Sequence, residues 1–249
     1  KGGVCSCGAS FVLDVTGSMG EEIDAVKDNI LEFADSLSYR QIDFRLGLIT
    51  FLDEIEEVFP FTDDVQIFRT QVARQFPHGG KDLPENSLDA LFEATRLDLR
   101  PNARRIVIWI TDALYHENNE RTPLTKQEVI NELLVNDITV NAIGPTNFKA
   151  DYDPFTLATG GQFFDIEGRF RDILLNISRL SLSGKYLVTY FSPDVDNGSN
   201  TVQLDVRYAG LGGRATYSYE PPRSAKPLQG LTYFPNPFNS SITFFVNKG

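Results

Sequence analysis

Several residue types are scarce in this sequence, and each shortage closes off a class of function. In 249 residues there are two cysteines, two histidines, one methionine and one tryptophan. Cys5 and Cys7 lie far along the chain from His78 and His116, and two thiols are too few for a zinc site. They could bond to each other, or to a segment outside this stretch, in an oxidising compartment. Lys and Arg number 23 against 34 Asp and Glu, a formal net charge of −11. With no basic stripe to neutralise phosphates, nucleic acid is not an expected partner. No apolar run reaches the roughly 18 residues of a membrane span, so no transmembrane segment is expected. The opening KGGVCSCGAS lacks the apolar centre of an export signal, so any such signal has been removed or never belonged to this stretch.

What is present has the composition of a globular protein, 41% hydrophobic and 23% charged. From Ser10 to Ser183, continuous apolar runs alternate with amphipathic helical patterns. SFVLDV reads as a strand covered on both faces, as in a parallel sheet. GEEIDAVKDNILEFADSLS follows with Ile23, Val26, Ile30, Phe33 and Leu37 at helical spacing. FRLGLITFLD, RRIVIWITDA, ITVNAIG and QFFDI are further strands. Pro60 makes EEVFPFTDD an edge strand, since proline cannot donate to a central ladder. LPENSLDALFEATRL reads as a helix. This alternation predicts an α/β fold, a doubly wound and mostly parallel sheet flanked by helices. Residues 1–9 form a leader and 10–183 the α/β domain. After it, KYLVTYFSP, NTVQLDVRYAG and RATYSYEPP alternate apolar and polar residues, predicting a small antiparallel β appendage over 184–220. A linker at 221–230 leads to a β-like segment at 231–249. That segment is too short to stand alone, and it should pair with the appendage, with a further domain, or with a second copy of the chain.

The chemistry gathers where strands end. FVLDVTGSMGEE runs a buried strand into Asp14, Thr16 and Ser18, HGGKDLPE carries Asp82, and WITDA ends in Asp112. Ligands in open α/β sheets bind beyond the carboxyl ends of the strands, which brings Asp14 and Asp112 to one rim. The donors are all oxygens, suited to Mg²⁺ or Ca²⁺ rather than zinc. A plainer reading is open at each place: Thr16 or Ser18 could cap the first helix. Asp82 could cap another, with Pro84 in its first turn and Glu85 closing a capping box. His78 and His116 read as solvated loop residues, and Met19 as packing.

On these residues the chain from Ser10 to Ser183 resembles a von Willebrand factor type A domain with a metal ion-dependent adhesion site. That family's pattern is Asp-x-Ser-x-Ser, a Thr in a second loop, and an Asp after the fourth strand. The resemblance implies Thr16 and Ser18 as direct ligands of a divalent cation, with Asp14 and Asp112 binding it directly or through water. Where many members carry the loop Thr, this chain has GGKDLPE. A subset of the family shares that form, and Asp82 is then the third-loop candidate. The function implied is metal-bridged adhesion, in which the cation completes its coordination with an acidic residue of a protein partner.

An enzyme is not expected. Haloacid dehalogenase-like phosphatases also place an Asp at the end of the first strand, but they follow it two residues later with a second Asp, where this chain has Thr16. GGKD lacks the spacing of a phosphate loop. The tail YFPNPFNSSITFFV resembles the start of the C-terminal sorting domains carried by type IX secretion cargo. Together with the family's frequent occurrence outside bacterial cells, this implies a secreted or surface-exposed protein. The alternative function is a structural subunit of an extracellular filament or matrix, self-associating through its C-terminal β segment around an architectural metal site.

Overall fold

The computed structural model of the chain describes residues 6–39, 42–80, 84–101 and 103–182, and the strands at 186–189, 200–208, 211–219, 229–232 and 243–248, with side chains through 179. The chain divides into two compact units, Lys1–Ser181 and Leu182–Gly249.

The first unit is built on a six-stranded sheet. Its strands are β1 (Ser6–Asp14), β2 (Asp43–Phe51), β3 (Ile55–Thr62), β4 (Arg104–Ile110), β5 (Ile138–Gly144) and β6 (Phe163–Asp165), in the order β3-β2-β1-β4-β5-β6. All neighbours run parallel except β2 and β3. This is the mostly parallel, helix-flanked α/β architecture expected from the alternating pattern. The last six residues of β1 and of β2, and the last five of β4, are all buried, as strands covered on both faces must be. β3 carries Pro60 and alternates exposed with half-buried positions, which marks the edge where a missing N–H costs nothing.

The helices are α1 (Gly20–Tyr39), α2 (Val65–Ala73), α3 (Ser87–Ala94), α4 (Lys126–Val135), α5 (Lys149–Thr159) and α6 (Phe170–Leu182). α1 buries Ile23, Val26, Ile30, Phe33, Ala34 and Leu37, a stripe at three- and four-residue spacing. On the core side that holds α3, α4 and α5, Trp109 meets Tyr152 and Phe155 edge-on at 4.7 and 5.3 Å between ring centroids. A Cβ at Gly161 would lie 1.8 Å from the Val140 carbonyl oxygen, so only glycine allows the turn into β6 to pass so close to β5.

Two boundaries differ from the sequence reading. β1 begins at Ser6 rather than Ser10, with Cys7 and Ala9 buried, so part of the stretch read as a leader belongs to the sheet. The disulfide question lies outside the described residues because Cys5 does. The other difference concerns α3. It starts at Ser87 after Asn86, which makes no side-chain cap bond. Glu85 is held in a β-bridge with Tyr115 instead: its N–H donates to Leu114 O at 2.8 Å, and its carbonyl accepts from His116 N at 2.9 Å. Pro84 is therefore not in the first turn of that helix and Glu85 does not close a capping box; Asp82, the cap expected with them, lies outside the described residues.

In the second unit, β7 (Tyr186–Thr189) pairs antiparallel with β10 (Gln229–Thr232). β8 (Asn200–Tyr208) pairs antiparallel with both β9 (Leu211–Tyr219) and β11 (Thr243–Lys248). Of the partners expected for the C-terminal segment, this is the one within the chain itself.

Candidate metal centre

The centre follows from strand register. β1 and β4 are parallel neighbours with Leu13 beside Ile110, so one step further Asp14 and Thr111 leave the sheet side by side. The Thr111 hydroxyl donates to Asp14 Oδ2 at 2.6 Å and accepts from Ala113 N at 3.1 Å. The other carboxylate oxygen, Oδ1, accepts from Thr16 N at 2.9 Å. Asp14 is fully buried and Thr16 nearly so, whereas Ser18 is exposed. The Thr16 and Ser18 hydroxyl oxygens lie 3.3 Å apart. They face each other, while α1 opens on a backbone bond from Ile23 N to Met19 O. A buried carboxylate thus lies behind two hydroxyls that step outward to solvent.

The loop bearing these hydroxyls is clasped from both sides. Val15 N donates to Phe51 O at 3.0 Å, and Val15 O accepts from His78 N at 2.9 Å. His78 leads into Gly79 and Gly80, whose φ values are +64° and +75°. At Gly80 a Cβ would also come within 3.3 Å of Thr16 Cβ, so the paired glycines serve both backbone conformation and close approach. Glu85 is buried, with its Oε1 3.7 Å from that same Gly80 Cβ position. Asp112 follows Thr111 half-buried, and the Tyr152 hydroxyl pins the next residue by donating to Ala113 O.

Electrostatically the rim is short of positive charge. Burial lifts the Asp14 carboxyl to about 6, against the stabilising bonds from Thr111 and Thr16 and with the charge of Asp112 adding to the rise. Glu22 is likewise pushed up, first by burial and then by Asp112, Glu21 and Glu167. Among the described residues no Lys or Arg pairs with Asp14, Glu22 or Asp112. A desolvated carboxylate beside hydroxyl oxygens and a second acid is a donor set that fits a hard divalent cation. No three Asp, Glu, His or Cys side chains among the described residues gather closely enough to hold one alone. A cation would therefore depend on the hydroxyls as well.

Of the residues singled out in the sequence, Asp14, Thr16, Ser18 and Asp112 meet at this rim; Asp82 lies outside the described residues. The sequence reading missed Thr111 and Glu85. Thr111 stood in view in WITDA, and strand register would have found it. Glu85 was masked by the helical look of LPENSLDAL. The histidines do not enter the centre: His78 pairs with Glu56, and His116 is buried with Nδ1 2.9 Å from Asn119 Nδ2, not solvated as expected.

Comparison with known proteins bears on this geometry. A model of the von Willebrand factor type A domain matches residues 10–163. A curated relative, the alpha-protein kinase vwkA of Dictyostelium discoideum, is 29% identical over 113 residues, covering 43% of this chain but 18% of the kinase. Among solved structures, proximal thread matrix protein 1 from the mussel byssus superposes with a TM-score of 0.59 at 15% identity, over 74% of this chain and 49% of that one. An aerotolerance-related membrane protein from Bacteroides fragilis does so with a TM-score of 0.54 at 15% identity, over 69% of this chain and 96% of that one. At such identities the structural likenesses speak for the fold alone. The chain spans about half the length of the mussel protein and less than a fifth of the kinase.

Proposed function

The chain belongs to the von Willebrand factor type A domain family, and from that premise we propose that it is an extracellular adhesion module whose rim holds Mg²⁺ or Ca²⁺ and engages an acidic residue of a protein partner. The observation that carries this reading is Asp14: a fully buried carboxylate with a pKa raised to about 6, set behind two hydroxyls and short of any described cationic partner. Asp14, Thr16, Ser18 and Asp112 are the proposed ligands within the described residues, and Asp82 joins them as the third-loop candidate. Thr111 orients Asp14 from behind. The cation supplies a positive centre that a partner carboxylate can complete. Hydroxyl ligands leave more of that charge uncompensated than carboxylates would.

The module acts by binding, not by turnover. Thr16 occupies the position where a haloacid dehalogenase-like phosphatase needs its acid, and a generic phosphoester assay tests this directly. A secreted or cell-surface location accords with the tail's resemblance to a sorting-domain start, although the residues carrying that resemblance, 233–242, lie outside the described ones. No described helix is long and apolar enough to cross a membrane.

Calorimetric titration of the whole chain with Mg²⁺ and Ca²⁺ tests the centre. An adhesion module then retains its partner reversibly and releases it in chelator. The filament or matrix alternative, with self-association through the C-terminal β segment, instead predicts growth of light scattering with protein concentration.

A further inference from the structure

Two tyrosines tie the loop that carries Asp112 to the start of α5, and they do so reciprocally. The Tyr152 hydroxyl, from α5, donates to Ala113 O at 2.5 Å. The Tyr115 hydroxyl, from the loop, donates back to Asp151 O at 3.3 Å. Asp112 lies inside the span so fastened. On its other side Thr111 N donates to Ile143 O at 3.2 Å, and the Thr111 hydroxyl holds Ala113 N.

Both rings are themselves fixed. Tyr152 is wholly buried, edge-on to Trp109 and stacked on Phe163 at 5.9 Å between centroids. Its ring lies against the backbone at the end of β5. A Cβ at Gly144 would overlap that ring and come within 3.2 Å of Thr111 O, so the close approach requires glycine there. Tyr115 packs edge-on against Phe155 at 5.6 Å, and its backbone bridges to Glu85. Burial, then the charges of Asp112 and Asp14, hold the Tyr152 phenol above its ordinary range, which sets the hydroxyl within reach of both carboxylates' fields. The start of α5 needs such fastening. Pro154 lies inside that helix and has no N–H to give the carbonyl four residues earlier.

We propose that this clasp positions Asp112. Tyr152 fixes the carboxylate's place at the rim by holding Ala113, and Tyr115 fixes the start of α5 from which Tyr152 reaches. That Asp112 is held there for a cation rests on the metal-centre reading above, whereas the clasp rests on the two hydroxyls and the space left by Gly144. Support of this kind behind a ligand sets metal affinity without touching the metal.

The clasp and the metal centre separate in experiment. Hydrogen exchange of the whole chain in chelator compares the Ala113 amide with that of Ile108, which lies mid-strand between β1 and β5. A loss of global stability would speed both amides equally. Tyr152→Phe keeps the ring and should speed Ala113 about tenfold beyond any change at Ile108, as the loss of one buried bond predicts. In calorimetry the same variant should bind Mg²⁺ or Ca²⁺ about tenfold more weakly. Tyr115→Phe should act in the same direction by about two- to threefold, its bond being longer and half-buried. Phe155→Leu trims the same ring cluster but removes no hydroxyl, so it should leave both the amide ratio and the metal affinity unchanged. Equal acceleration of the two amides in Tyr152→Phe overturns the proposal. So does a loss of metal affinity in Phe155→Leu as large as that in Tyr152→Phe. A native chain that takes up no metal, with Ala113 still answering selectively to Tyr152→Phe, upholds the clasp and sinks the metal centre.

Discussion

The two ends of one sheet treat their carboxylates in opposite ways. At the end where β1 and β2 begin, Arg100 Nη1 donates to Asp43 Oδ2 at 2.7 Å, and Nη2 reaches the Cys7 and Asp43 carbonyls at 3.0 and 2.8 Å. Arg45 pairs nearby with Asp98 at 3.3 Å. The guanidinium bond from Arg100 holds the Asp43 carboxyl below its ordinary range. At the end where β1 and β4 finish, Asp14 is buried among hydroxyls and amides and its carboxyl rises to about 6. One end finds its countercharge among the described residues; at the other Asp14 finds none there, the arrangement that the proposed metal centre needs. On the proposed function, stability and binding fall at opposite edges of the same scaffold.

Removing the charge at the unfinished end gives the largest expected effect. Asp14→Asn keeps the shape and the bond from Thr16 N but should weaken Mg²⁺ or Ca²⁺ binding by about a hundredfold or more, measured by calorimetry. Without metal the same change should stabilise the protein. A carboxyl at about 6 when folded and about 3.9 when unfolded keeps a proton between those values that the unfolded chain has lost. The native chain should therefore lose up to about 3 kcal/mol through Asp14 as pH rises from about 4 through 6, and the variant should lose only the smaller part that the raised carboxyl of Glu22 contributes. Chemical denaturation in chelator at both ends of that window checks the sign. A native chain with a flat profile would place Asp14 on the same footing as Asp43 and dissolve the contrast.

Thr111→Val comes next. It preserves volume but withdraws the hydroxyl that donates to Asp14 Oδ2. Loss of an orienting partner behind a ligand costs about tenfold in metal affinity. Affinity unchanged in this variant would mean that Asp14 needs no support from β4.

How much of this was legible in the sequence depends on whether the determinant was local. Apolar runs and helical stripes are local, so the α/β alternation and the edge position given to β3 by Pro60 could be read directly. Asp14, Thr16 and Ser18 lie within five residues, and their grouping was readable too. Thr111 matters only because Leu13 aligns with Ile110, a fact of pairing between strands almost a hundred residues apart. Glu85 looked helical because Pro84, Glu85 and Ser87 form a plausible helix start. A backbone bridge to Tyr115 claims it instead, and no periodicity within the segment registers a partner thirty residues away. The completed end was likewise invisible, since Arg100 meets Asp43 across 57 positions.

A smaller effect is expected at Asp82. With Asp14, Asp82 and Asp112 ionised, three negative charges would face one divalent cation, whereas Thr at the third position would leave two. Asp82→Thr should lower metal affinity several-fold, because ligand charge tunes hard-cation binding. At saturating metal it should also strengthen capture of a carboxylate-bearing peptide. Parallel titrations with metal and then with peptide test both halves. Equal metal affinity would remove Asp82 from the centre.

The smallest effect is expected at the finished end, where it serves as the control for the rest. Arg100→Ala removes a half-exposed ion pair with Asp43, worth up to about 1 kcal/mol after solvent screening, together with bonds to two strand carbonyls. Metal affinity should not change, since the side chain sits at the opposite edge of the sheet. The pH dependence should run the other way from that of Asp14. Asp43 has its folded pKa lowered by Arg100, so its contribution is present above the unfolded value of about 3.9 and is lost as pH falls through the folded one. Acidifying the metal-free native chain from about 6 to 4 should therefore strengthen it through Asp14, and further acidification should weaken it through Asp43. Arg100→Ala should shrink only the lower limb, to which Glu32 and Glu128 also contribute, and Asp14→Asn should shrink only the upper, to which Glu22 also contributes. If Arg100→Ala altered the upper limb or the metal affinity, the two edges would be coupled through β1, and the division of labour between them would have to be abandoned.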